Sequence, residues 1–60
     1  MDNAEKIAAL TAILTKHDEA INEDDGGSRP FNETGEVIEA LWSVINDDKE
    51  RLVKTGWLEP

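Results

Sequence analysis

An all-α helical hairpin is the fold these 60 residues predict, and three observations carry it. Residues 2–22 and 34–55 each repeat apolar side chains at helical spacing, an acidic Gly/Pro-containing loop separates them at 23–33, and 56–60 form a short tail. There is room for a single small domain. Chains of this size bury only about 60% of the surface their unfolded form exposes. Sixteen large apolar residues spread over two helices exceed what those helices can hide from each other, so self-association or a partner is expected to complete the fold.

The first helix starts on a capping-box pattern, Asp2 at N-cap with Glu5 three residues on. Ile7, Leu10, Leu14, His17 and Ile21 follow at alternating spacings of three and four, a coiled-coil-like seam broadened by Ile13 and Ala20. This seam is the expected inner face. Ala4, Ala8, Ala9 and Ala12 add helix propensity and let another backbone come close, while Lys6, Lys16, Asp18 and Glu19 mark the expected solvated side.

In the loop, Gly26 and Gly27 oppose helix and Pro30 removes a backbone donor. Phe31 is its one apolar residue and is expected to tuck back between the helices as a staple for the second. The second stretch opens with Thr34 as expected N-cap and Glu36 in the first turn. Val37, Ile38, Leu41, Trp42, Val44, Ile45, Leu52 and Val53 cover nearly half its circumference, wider than one partner helix needs. A second capping box at Asp47 and Glu50 leaves two readings of this stretch, one helix throughout or a helix to about 46 and a short third from 48, and the box favours the break. Gly56 suits a left-handed C′ position, which sets Trp57 against Leu52 in a Schellman motif.

Charge narrows the function. Fourteen acids against six bases leave a net of −8, half of the excess falling in residues 22–36. Direct binding to a nucleic-acid backbone requires clustered Lys and Arg, and none occur. An anionic membrane repels the same charge, and no apolar run approaches the length of a membrane span. A basic protein surface is the partner this field steers toward. The absence of Cys fits a reducing compartment, and Met1 to Glu5 lack a secretory signal's basic start, so a cytoplasmic location is expected.

No catalytic residues and no cofactor are expected. The hydroxyls of Thr11, Thr15, Ser28, Thr34, Ser43 and Thr55 have no local context that would activate one, and His17 reads as a boundary histidine or a pH-sensitive contact. The loop resembles part of an EF-hand calcium site, with Asn22, Asp24, Gly27 and Glu33 at positions 1, 3, 6 and 12. Gly26 offers no side-chain oxygen at position 5, and Arg29 sits where a branched apolar residue belongs, so any calcium site here is weak.

The expected contact residues are Trp42, Trp57, Leu58 and Phe31 as apolar anchors, with Asp18, Glu19, Glu23, Asp24 and Asp25 as the acidic component. With Glu33 and Glu36 these acids are expected to form one negative surface, of the kind that imitates nucleic acid in a basic channel. The leading expectation is a non-enzymatic interaction protein, an inhibitor or regulator of the phage and mobile-element type, acting as a homodimer or on a basic protein. The alternatives are an assembly subunit of a larger complex and the weak calcium loop.

Overall fold

The computed structural model describes residues 1–23 and 30–60. It is all-helical: α1 spans Asn3–Glu23, α2 Thr34–Ile45 and α3 Lys49–Lys54. α1 and α2 pack as the two arms of a hairpin, and α3 folds back along α2. The antiparallel sense follows from the ends. Met1 and Lys6 reach Asp47 beyond the C-terminus of α2, while His17 meets Phe31 just before its N-terminus.

Hydrogen bonds fix both ends of α2 and α3 and the start of α1. Asp2 caps α1 as expected, its Oδ1 accepting from the Glu5 N–H at 2.8 Å. The start of α2 lies one residue earlier than the sequence suggested. Glu33 is the N-cap, its backbone extended and its carbonyl accepting from the amides of Glu36 and Val37, and no side chain caps this end.

The predicted break after α2 is present, and its chemistry is one residue out of register. Asp47 adopts a left-handed backbone, φ 57°, and so closes α2. Its amide bonds the Val44 carbonyl and that of Asp48 bonds the Ser43 carbonyl, the paired hydrogen bonds of a Schellman motif. Asp48 then takes the cap of α3, accepting from the Arg51 N–H at 3.1 Å. A residue spent on the left-handed turn cannot also cap the next helix, which is why the box at Asp47 and Glu50 slips. α3 ends on a second motif of the same type, now the expected one. Gly56 has φ +89°, its amide bonds Val53, and the Trp57 amide bonds the Leu52 carbonyl at 2.9 Å.

The core is Ala9 and Ile13 of α1, Val37, Ala40 and Val44 of α2, and Leu52 and Trp57 from the C-terminal segment. Met1, Phe31, Leu41 and Leu58 pack around it. Trp57 is 1% exposed and, with Ile13 and Leu52, one of the largest side chains fully buried among the described residues. Phe31 meets it edge to face, ring centroids 4.7 Å apart, so Phe31 supports the indole more than it staples α2.

The rotation of α1 about its own axis departs from expectation. Its buried residues are Ala9, Ile13 and Ala20, whereas Ile7, Leu10, Leu14 and Ile21 of the predicted inner seam are exposed. At 3.6 residues per turn the two stripes lie roughly 110° apart. Lys6 and Lys16, expected on the solvated side, turn inward instead: Lys6 Nζ is 3.2 Å from Asp47, and Lys16 Nζ donates to the Gly56 carbonyl at 3.1 Å. The physical reason is volume. Ala8, Ala9, Ala12, Trp57 and Leu58 line one cleft, so the small side chains of α1 are the ones that leave space for an indole.

Candidate interaction surface

Two sides of the hairpin can be told apart by their contacts. On the α3 side, Glu36, Glu39 and Ser43 of α2 share a small depression with Arg51, Thr55 and Trp57, and Arg51 forms an ion pair with Glu39. On the same side, Glu5 of α1 pairs with Lys49, and Glu19 and Glu23 border Phe31. Glu5, Glu19 and Glu23 of α1 and Glu36 and Glu39 of α2 therefore gather where α3 and the tail lie.

The opposite side is apolar. Ile7, Leu10, Leu14 and Ile21 on α1 and Ile38, Trp42 and Ile45 on α2 are all exposed, with half-buried Leu41 beside them. On α2 the exposed three lie roughly 150° round the helix from the buried face of Val37, Ala40, Ser43 and Val44. The helices run antiparallel, with α3 packed on the other side of α2 and the tail on the other side of α1, so the two exposed stripes flank the same interhelical groove. Each follows a heptad pattern: Ile7, Leu10, Leu14, His17, Ile21 on one, Ile38, Leu41, Ile45 on the other.

The size of this face can be estimated from its exposed fractions. Fully exposed Ile and Leu present about 180 Å² each and Trp about 250 Å², so the seven residues leave roughly 750 Å² of mainly apolar surface open. The largest patch on a typical monomer is about 300–600 Å². Ordinary surface scatter does not account for it.

His17, in the α1 stripe, is half-buried, with Nδ1 2.6 Å from the Phe31 carbonyl. A carbonyl only accepts, so Nδ1 carries the proton and donates. This is a boundary histidine anchored to the chain preceding α2. The Thr11, Ser43 and Thr55 hydroxyls donate to the carbonyls of Ile7, Glu39 and Arg51 inside their own helices, so none of them is paired with a base.

The expected anchors separate. Trp42, 59% exposed, stands at the edge of the apolar face. Trp57 is closed inside a single chain, contrary to the expectation that covering it would take a second molecule, and Phe31 and Leu58 are packed against the same core. Of the expected acidic contacts, Glu19 and Glu23 share the α3 side, while Asp18 lies roughly 100° round α1 from Glu19 and borders the apolar face. Glu36 is half-buried beside α3. Among the described acids of the expected negative surface, Asp18 is thus set apart from Glu19, Glu23 and Glu36.

Asp24, Asp25, Gly26, Gly27 and Arg29 lie outside the described residues, and with them half of the calcium-loop pattern; Asn22 is on the exposed last turn of α1 and Glu33 caps α2. Among the described residues no group of three His, Cys, Asp or Glu is placed to hold a metal ion, and no helix is long and apolar enough to cross a membrane.

Sequence reasoning missed Ile7, Leu10, Leu14, Ile21, Ile38 and Ile45 as surface residues. The available signal was Ala9, in helical register with the Ile13 and Ala20 that broaden the larger seam. Compared with models of known protein families, with curated proteins and with solved structures, the chain matches none.

Proposed function

We propose that the protein is a non-enzymatic protein-interaction module that works through the apolar α1/α2 face, with Trp42 at its edge. The observation that carries this reading is the open area of that face. An apolar patch larger than a monomer ordinarily leaves in water marks a surface that is covered in use. Exposed Trp is also enriched among the residues that dominate binding energy. The Thr11 and Ser43 hydroxyls are bonded within their own helices and His17 to a backbone carbonyl, which is compatible with this reading.

The net charge of −8 gives the module a long-range preference for basic proteins. In this reading it acts as an inhibitor or regulator by occupying a surface.

The test compares two baits, wild type and Leu14→Glu, in affinity capture with quantitative mass spectrometry. Leu14 is exposed, so the substitution leaves the core untouched. A binding module of this kind loses its specific partners with Leu14→Glu and keeps them with Glu50→Gln on exposed α3. Equal recovery on all baits would remove the apolar face from the function.

A further inference from the structure

We infer that the occupant of the apolar α1/α2 face is a second copy of this chain, related by a two-fold axis, so that two hairpins close an antiparallel four-helix bundle. This deepens the reading above by naming the partner of the same surface.

Area is the first support. Roughly 750 Å² per copy is close to the about 800 Å² each partner contributes to a stable interface of standard size. Register is the second. Heptad seams on both arms of one hairpin are what another helical pair needs for knobs-into-holes packing, and a two-fold axis supplies that pair from the same sequence.

Charge decides between a second copy and a basic protein. The acids of α1 and α2 that have described contacts, Glu5, Glu19, Glu23, Glu36 and Glu39, lie on the α3 side. Among the described residues, the charged groups flanking the apolar face are Lys6, already paired with Asp47, and Asp18. These give a basic partner little to pair with, whereas a second copy brings only the same two groups. The acidic sides then point outward on both hairpins, free for a basic protein. Trp42, exposed in one copy, becomes shielded at the rim of the bundle.

Salt separates the two occupants by sign. Two chains of net −8 repel one another at long range, so screening tightens the dimer. A complex with a basic protein loosens under the same change.

The experiment is sedimentation equilibrium of the full chain up to about 100 µM, well above the micromolar or tighter dissociation constants that interfaces of this size reach. It is run in about 0.1 M and about 1 M salt, where the screening length falls from about 10 to about 3 Å. The expected result is a dimer whose dissociation constant falls several-fold at the higher salt. Leu14→Glu enters a two-fold interface twice and raises the dissociation constant by at least about 100-fold, with the circular dichroism of the helices retained.

A chain that stays monomeric in both salts overturns the proposal, as does a dimer that Leu14→Glu leaves intact or that higher salt dissociates. None of these results touches the capture experiment. A monomer whose partners are lost with Leu14→Glu keeps the interaction reading and assigns the face to another protein. A dimer whose captured set is unchanged by Leu14→Glu keeps the second copy and removes the regulatory reading.

Discussion

The α3-facing side of the hairpin and its opposite side draw on the same residue types and differ in what closes over them. Ile13 and Leu14 are consecutive, and Ile13 is 0% exposed while Leu14 is 58% exposed. Trp42 and Trp57 repeat the contrast within the C-terminal half, at 59% and 1%. On one side, the Schellman turn at Gly56 swings Trp57 and Leu58 over an alanine-lined surface of α1. On the other, larger side chains stand in a regular heptad and are left exposed, with none of the described residues closing over them. Side-chain size alone therefore does not choose the interior: the inner face is the one shaped to receive the closing element.

The contrast is most exposed to challenge at the two tryptophans. Trp57→Ala should cost about 3–5 kcal/mol, comparable to the whole stability of a domain this small, and leave a chain without a cooperative thermal transition by circular dichroism. Trp42→Ala, measured in dilute solution where association is absent, should change stability by no more than about 0.5 kcal/mol. If the two substitutions cost the same, the division into inner and outer faces is wrong.

The neighbouring pair on α1 sharpens the same point within one turn. Ile13→Ala should cost about 2–5 kcal/mol in urea denaturation, because it opens a cavity between α1, α2 and Trp57. Leu14→Ala should stay within about 0.5 kcal/mol in dilute solution. A reversed order would restore the seam of Ile7, Leu10 and Leu14 as the true interior.

Closure itself can be weakened without touching the core. Gly56→Ala puts a Cβ at a φ of +89°, where it would also sit 3.4 Å from the Phe31 ring. A cost of about 1–2 kcal/mol is expected, lowering the melting temperature by roughly 4–8 °C per kcal/mol. Asp48→Ala removes the cap of α3 and should cost about 1 kcal/mol. Asp47→Ala loses a different contact, which separates the two roles that adjacent aspartates play here.

The smallest expected effect is on acid titration. The hydrogen bond from Lys6, with the charges of Lys6 and the N-terminal amine, holds the Asp47 carboxyl below its ordinary value of 3.8, and the partial desolvation that opposes them does not win. A depressed folded pKa means that its contribution is complete above about 3.8 and disappears as pH falls through the lower folded value. Carboxyl chemical shifts should place the Asp47 midpoint below 3.8, and Lys6→Met should move it up. An unchanged midpoint would mean the Lys6 contact is absent in solution.

Much of the architecture was legible where local chemistry decides it. Asp2 with Glu5, the break after α2, and the Gly56–Trp57–Leu52 turn all follow from hydrogen bonds that span a few residues. The rotation of α1 was not legible, because it depends on how Trp57, more than forty residues on, fills the space above Ala9 and Ala12. The cap of α3 was missed by one position because two adjacent aspartates offer the same chemistry, and only the left-handed backbone at Asp47 assigns them. The breadth of the apolar arc on α2 did show in the sequence that one helix could not cover it. Which of its residues stay in water depended on the placement of α3.

The position of Trp57 also bears on how the molecule comes into being. Its indole completes an interior whose floor, Ala9 and Ile13, lies near the start of the sequence. A growing polypeptide that has not yet reached residue 57 holds the floor without the roof, and six-residue α3 is too short to persist unsupported. Closure of this interior therefore waits on residue 57, and a chain truncated before it would leave the slot above Ala9 and Ile13 open.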